Sequence, residues 1–254
     1  MIAYYNEIDP FAAAWLRELI KGKLIADGEV DERSIADVTA DDVRGFAQCH
    51  FFAGIGGWSY ALRLAEWPDE RAVWTGSCPC QPFSAANVWE GGGRGRSDSR
   101  HLWPAWLCLI EECRPAVVFG EQVTAAIRYG WLDEVFGDLE RASYACGAAV
   151  LPAVSVGADH LRRRLYFVAD TSGARWEGHQ PIECVPVATA AAQPVDGNPL
   201  ARARTALAGH YSGLLPCDGV SVVLERDALR GYGNAIVPQV AQVFIEAYLD
   251  ATGK

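Results

Sequence analysis

No run of about 18 consecutive apolar residues occurs in the sequence, which excludes a hydrophobic membrane-spanning helix. The opening MIAYYNEIDP lacks a basic segment leading into an apolar stretch, so no secretory signal is expected. Positive charge is in deficit too: 22 Lys and Arg stand against 32 Asp and Glu, a net charge of −10. That balance speaks against a generally basic, nucleic-acid-coating surface. The basic residues that exist are clustered, however. Arg94, Arg96 and Arg100 form one group, Arg162 to Arg164 a second, and Arg202 with Arg204 a third. An acidic protein can carry a basic cleft, and weak, salt-sensitive non-specific binding is the expectation. The eight cysteines lack the spacing of a disulfide scaffold. Reduced thiols in a cytoplasm fit better. Cys78 and Cys80 have no Cys/His pair downstream to complete a zinc site, so no metal is expected. There is no internal repeat.

What is present is 254 residues, half of them hydrophobic, enough for one large α/β unit with an appendage. Ile2 to Tyr5 is β-prone, and Asp9-Pro10 reads as an N-cap followed by a first-turn proline. Phe11, Trp15, Leu16, Leu19 and Ile20 then recur near helical spacing. Strands are expected at 35–38, 49–53, 72–75, 116–120 and 165–169, with helices over 58–67 and 237–248. Alternation of apolar strands and helices predicts a mostly parallel sheet covered on both faces. From 170 to 225 the periodicity fades and Pro, Gly, Ala and Thr rise, which reads as a small irregular insertion.

Five segments carry chemistry. Phe52-Ala53-Gly54-Ile55-Gly56-Gly57 lies between a strand and a helix, where glycines let a ligand approach the backbone. An ordinary tight turn would look the same. In Ser77-Cys78-Pro79-Cys80-Gln81-Pro82-Phe83-Ser84, a cysteine at a strand end is placed as a nucleophile, provided its thiolate is stabilised. A buried structural thiol is the plain alternative. Glu121, with Gln122 and Val123, ends another strand and could hydrogen-bond or protonate a ring nitrogen. It could equally cap a helix. His160-Leu161-Arg162-Arg163-Arg164 runs into a strand, where alternation puts Arg162 and Arg164 on one side. Two guanidinium forks there would suit a base oxygen and phosphates; a solvated edge is the other reading. Gly233-Asn234-Ala235 and Pro238 precede the last helix.

In order and spacing these segments together resemble the cytosine-5 DNA methyltransferase family. The resemblance covers most of the chain outside 170–225. Pro79 to Ser84 is a close match to the nucleophile motif, Glu121-Gln122-Val123 stands where the family has Glu-Asn-Val, and His160 to Arg164 where it has Gln-x-Arg-x-Arg. Asp98 and Arg100 fit the segment after the catalytic loop. The family implies a Rossmann-like S-adenosylmethionine-dependent methyltransferase fold, divided into a catalytic part (1–169 and 226–254) and a short target-recognition region (170–225). It implies methyl transfer to C5 of cytosine in DNA through an adduct of Cys80 with C6, with Glu121, Arg162 and Arg164 catalytic. S-adenosyl-L-methionine would contact Phe52, Ala53, Gly54, Ile55, Gly56, Gly57, Pro79, Asn234 and Ala235. Gln81, Ser84, Arg94, Arg96 and Gln122 would contact the substrate. The implied partner is double-stranded DNA, with no membrane or metal. A monomer is expected in the cytoplasm of a bacterial or phage-infected cell, with an accessory specificity partner as an option.

The chain departs from the family in one large respect. The acidic material that normally follows the glycine loop precedes it here, as in a circular permutation. Glu7 then becomes the residue for the ribose hydroxyls, with Ile8 beside it, and Ser34 and Ile35 lie near the adenine. The helix after Gly57 must lead straight into the nucleophile strand, which places it on an unusual face if crossover handedness is kept. Three other functions compete: an RNA cytosine-5 methyltransferase, a catalytically idle DNA- or partner-binding protein, and a dehydrogenase. The glycine loop lacks Gly-x-Gly-x-x-Gly spacing, which disfavours the dehydrogenase.

Overall fold

A computed structural model describes residues 2–79, 102–158, 160–171 and 235–253. Their seven strands form one sheet: β1 (Ala3–Asn6), β2 (Gly28–Asp31), β3 (Gln48–Phe51), β4 (Val73–Gly76), β5 (Val117–Val123), β6 (Ala145–Pro152) and β7 (Arg163–Asp170). The spatial order is β2-β1-β3-β4-β5-β7-β6, parallel from β2 to β5, with β7 antiparallel to both of its neighbours. The helices are α1 (Pro10–Lys21), α2 (Ala40–Val43), α3 (Gly57–Leu64), α4 (Trp103–Cys113), α5 (Ala125–Arg128), α6 (Trp131–Arg141) and α7 (Pro238–Thr252). This is the expected α/β class, a mostly parallel sheet with helices on both faces. The expected irregular insertion lies outside the described residues apart from Asp170 and Thr171. No helix among the described residues is long and apolar enough to cross a membrane.

Strand alternation sorts the core into two layers. Tyr4, Phe51, Trp74, Val118, Leu165 and Phe167 point to one face and pack on α4 and α6 through Trp103, Trp106 and Trp131. Ala3 and Tyr5 point the other way onto α1, and Val73, Phe119, Tyr166 and Val168 onto α3 and α7. α1 begins as the sequence indicates: the Asp9 carboxylate accepts from the amides of Phe11 and Ala12, and Pro10 occupies the first turn.

Two expectations fail. Residues 35–38 are not a strand: Ile35–Asp37 is a short 3-10 turn whose start is held by Ser34 accepting from the Ala36 amide. The strand of this region is instead β2, four residues at the edge of the sheet. The strand expected over 49–53 stops at Phe51, because Phe52 turns to a left-handed φ of 51°.

The faces also answer the question of handedness. The links β2 to β3, β4 to β5 and β5 to β6 all move toward the β6 edge, with their helical segments on the α4 face. The link β1 to β2 moves the opposite way with α1 on the α3 face, so it has the same hand as those three. The link β3 to β4 moves toward the β6 edge, yet its helix α3 lies on the α3 face. Its hand is therefore opposite to the other four, which makes it left-handed under the near-universal rule for parallel crossovers.

On the α3 face a row of polar side chains crosses the centre of the sheet. His50 bonds Thr75 Oγ1 at 2.8 Å and Gln48 Oε1 at 3.2 Å, and its ring stacks on Tyr5 at 4.8 Å. Complete burial depresses the His50 pKa to about 3. The unfolded chain, with a histidine near its ordinary 6.5, takes up this proton first. The contribution to stability is thus full above pH 6.5 and is lost as pH falls toward 3. Its slope is at most about 1.4 kcal/mol per pH unit. His50→Gln should flatten the fall in stability between pH 6.5 and 4.5, read by urea unfolding at several pH values. An unchanged slope would show that other groups govern it.

Candidate active site

Parallel strands leave their carboxyl ends, and the loops that follow, on one edge of the sheet, the usual place for a site in such folds. That edge gathers Glu7 after β1, the glycine loop after β3, Ser77-Cys78-Pro79 after β4 and Glu121 with Gln122 at the end of β5. β7 is antiparallel, so its first residues, Arg163 and Arg164, reach the same edge, with Arg162 just before them.

In the glycine loop, φ is 51° at Phe52, 56° at Gly54 and 81° at Gly56. The last of these caps α3. Among the described residues, leaving aside the adjoining Ala53 and Ile55, no atom lies within 4 Å of where a Gly54 side chain would begin. The Glu7 carboxylate reaches over from β1 and accepts from the Gly54 amide at 2.7 Å and from the Asp9 amide at 2.8 Å. Burial raises the Glu7 pKa, against the pull of these amides. Next to it Ile8 is an apolar side chain 64% exposed. Gly57 sits under the segment before α7: a Cβ there would come within 2.7 Å of Ile236 Cγ1. Ser34 and Ile35 lie beyond β2. The Ile35 side chain is buried in the core and Ser34 caps its 3-10 turn, so the expected adenine contacts are not side-chain surfaces that the structure presents openly.

Glu121 and Arg164 occupy diagonal positions on the α3 face, since Glu121 pairs with Tyr166 and Val123 with Arg164. Arg164 Nε meets Glu121 Oε1 at 2.9 Å, with the side chains 23% and 9% exposed. Burial raises the Glu121 pKa, while the Arg164 and Arg162 charges act in the other direction. Arg162 is half-buried and donates from Nη2 to the Ala235 carbonyl at 2.6 Å, tying the segment before α7 to this edge. Burial, and then the neighbouring Arg164 charge, lower its pKa. Arg163 is exposed, as the alternation expected.

Gln122 points to the opposite face. Its amide donates to the Cys78 carbonyl at 3.0 Å and accepts from the Val123 amide at 2.8 Å. The sequence reading sets Gln122 against substrate; here the side chain is buried and holds the segment two residues ahead of Cys80. Cys80, Gln81, Ser84, Arg94, Arg96 and Asn234 lie outside the described residues.

Sequence reasoning passes over two side chains at this edge. Trp58 and Ser77 join the first turn of α3 to the end of β4, with Trp58 Nε1 donating to Ser77 Oγ at 3.1 Å. A tryptophan on the first turn of α3 was a visible signal, though its partner was not.

The model of the C-5 cytosine-specific DNA methylase family matches residues 65–194. A stretch of 115 residues is 30% identical to the type II methyltransferase M.AplI of Arthrospira platensis, covering 44% of this chain and 31% of that protein. The match thus spans about a third of the relative's length. Among solved structures, Spodoptera frugiperda DNMT2 aligns with a TM-score of 0.47 at 15% identity, over 72% of this chain and 46% of that one. Schizosaccharomyces pombe Dnmt2 aligns at 0.43 and 14%, over 72% and 54%. The Entamoeba histolytica methyltransferase EhMeth aligns at 0.42 and 14%, over 68% and 53%. Since the family match takes in half the residues, from the end of α3 through β4, β5 and β7, this chain belongs to the C-5 cytosine-specific DNA methylase family.

Proposed function

We propose that this chain transfers a methyl group to C5 of cytosine in double-stranded DNA, with Cys80 as the nucleophile and S-adenosylmethionine as donor. The observation that supports this reading best is the Glu121–Arg164 pair. It sets a buried carboxyl of raised proton affinity beside a guanidinium, one strand away from the segment that leads to Cys80. A cytosine presents an acceptor at N3, a donor at N4 and an acceptor at O2, and a carboxyl next to a guanidinium matches that edge.

The residues that follow β1 and β3 on the same edge suit the donor. Glu7 offers a carboxylate for vicinal hydroxyls, Ile8 an exposed apolar surface for a base, and Gly54 a backbone without a side chain. When bound there, S-adenosylmethionine would supply an electrophilic methyl group on sulfonium. The target base must leave the stack, because C5 and C6 cannot be reached within a duplex. Cys80 thiolate adds to C6. Glu121 hydrogen-bonds N3 and the amino group and holds the proton that offsets charge on the ring. Arg164 holds O2, with Arg162, which donates to the Ala235 carbonyl, in support. C5 then takes the methyl group as its bond to the sulfonium breaks, which would leave the donor as a neutral thioether; loss of the C5 proton to water re-forms the double bond and expels the Cys80 thiolate. Residues 170–225 would serve target recognition, Gln81, Ser84, Arg94 and Arg96 would meet the DNA, and the remainder forms the catalytic part.

The test is transfer of label from S-adenosylmethionine to duplex DNA and to transfer RNA, followed by base analysis. Wild type should yield 5-methylcytosine in DNA. Cys80→Ala should yield none while binding the cofactor nearly as well in equilibrium dialysis. Full product from Cys80→Ala would remove the nucleophile assignment, and label confined to RNA would replace DNA as the substrate.

A further inference from the structure

The end of β1 is tied to both of its neighbours. Asn6 is its last residue, 3% exposed, and by alternation it faces the α4 side with Tyr4. Its side-chain nitrogen donates to the Arg33 carbonyl at 2.9 Å and to the Asp31 carbonyl at 3.4 Å. Carbonyl oxygens only accept, so the NH2 group of the Asn6 amide, not its oxygen, must face them. On the other side the Asn6 main-chain carbonyl accepts from the Ala53 amide at 3.0 Å. Glu7 repeats the pattern: its amide donates to the Asp31 carbonyl at 3.0 Å, and its carboxylate accepts from the Gly54 amide at 2.7 Å. Two consecutive residues therefore join the glycine loop after β3 to the segment after β2.

The segment after β2 is braced internally. Arg33 Nε meets both Asp31 carboxylate oxygens, at 3.1 and 3.0 Å, and Arg33 Nη2 lies 2.9 Å from Asp42 of α2. The Tyr4 hydroxyl donates to Asp31 at 2.6 Å. The Ser34 hydroxyl accepts within the turn and the Ile35 side chain is buried in the core, so what this turn can offer a ligand is its main chain. We propose that Asn6 is a positioning residue for the adenosine half of the donor: it holds the main chain of the 33–35 turn in place relative to the Glu7 carboxylate, so that one ligand reaches both. This rests on Glu7 and the glycine loop binding S-adenosylmethionine. Asn6 acts through its neighbours and touches no ligand. A residue that only steadied the strand end would change the unfolding temperature and leave ligand affinity alone.

The experiment is equilibrium dialysis of the full chain against two labelled probes that share the adenosine half, S-adenosylhomocysteine and 5′-methylthioadenosine. Asn6→Ala should weaken both by the same factor, about 3- to 10-fold, the scale of one lost hydrogen bond. Asn6→Asp has nearly the same shape but turns a carboxylate on two carbonyl oxygens, and should weaken both further. Asn6→Thr keeps one hydroxyl donor and a side chain suited to a strand. It should fall between wild type and Asn6→Ala, and it carries the test if Asn6→Ala does not fold. In label transfer the KM for S-adenosylmethionine should rise with the dissociation constants, while kcat and the KM for DNA move far less. Unchanged affinities in variants that thermal unfolding shows to be folded, or a loss confined to S-adenosylhomocysteine, overturn the role of Asn6 and leave the cofactor reading standing. A wild-type chain that binds neither probe overturns the cofactor reading, and the role of Asn6 with it.

Discussion

Glu121→Gln should lower kcat/KM by about 10²- to 10⁴-fold, the usual contribution of a positioned proton donor or acceptor, while the protein stays folded. Arg164→Gln should lose activity on a similar scale but for a different reason, and stability separates the two. Burial raises the Glu121 pKa above its unfolded value. A group shifted in that direction favours the fold most below its unfolded pKa, and that contribution is lost as pH rises through the folded pKa. At alkaline pH the carboxylate is tolerated because Arg164 lies 2.9 Å away. Removing the guanidinium leaves a buried charge without its main partner, a change that typically costs about 3–5 kcal/mol. Arg164→Gln should therefore be strongly destabilised at pH 8 and approach wild type near pH 4, where Glu121 is protonated. The Glu121→Gln/Arg164→Gln double variant should recover most of the loss at pH 8. Urea unfolding of the four proteins at both pH values gives the cycle. Equal losses for Arg164→Gln at pH 4 and pH 8 would mean that the ion pair does not carry this energy.

A second large effect is expected one residue earlier. A Cβ on Gly120 would lie 2.0 Å from two carbons of the Phe167 ring, on the neighbouring strand β7. Both residues are in the middle of the sheet, with Phe167 fully buried under α6. The ring cannot swing away from β5 without leaving its contact with Trp131. Overpacking of a tight core commonly costs about 1–3 kcal/mol and sometimes more, and Gly120→Ala should fall at or above the top of that range. Because Glu121 follows directly, activity should drop as well. Phe167→Ala alone should cost about 3–5 kcal/mol through the cavity it leaves. Combined with Gly120→Ala it should cost markedly less than the sum, since each change makes room for the other. Additive losses by thermal unfolding would show that the methyl group strains the backbone rather than meeting the ring.

Both sites show how far the sequence could be read. Glu121 and Arg164 were legible because each sits in a short motif at a strand end, and because strand alternation puts Arg162 and Arg164 on one side. The α1 start was legible too, since Asp9 and Pro10 act within one turn. β2 was not: Gly28-Glu29-Val30-Asp31 has little β-propensity, and its place comes from pairing with β1. Ile35 looked like a strand residue because it is buried, yet its burial comes from a 3-10 turn under the sheet. β6, with Ala145, Gly147, Ala148 and Ala149, carries almost no local signal and is held by β7. Gln122 was placed against substrate by analogy with a motif. Alternation along β5 sends it to the face opposite Glu121, where the Cys78 carbonyl waits. The Trp58–Ser77 contact joins residues 19 apart across a helix and a strand end, and no local pattern encodes it.

The reversed crossover between β3 and β4 bears on how such a gene can be rearranged. At the amino ends of the strands the chain passes three times through one small neighbourhood: the Ala47 amide bonds the Ile2 carbonyl at 2.9 Å, and the Val73 amide bonds the Ala47 carbonyl at 3.0 Å. Cutting before β3 and before β4, then rejoining the pieces so that the 46–68 segment precedes residue 2, needs only two short splices there. In the resulting order α3 would lead to β1 rather than β4, moving away from the β6 edge along the same face, and its crossover would have the ordinary hand. Every splice lies on the side of the sheet away from Glu7, the glycine loop and Glu121. Segment order is thus a layer of information separate from the layout of the pocket, and the helix that now crosses with the wrong hand is the mark left where the two differ.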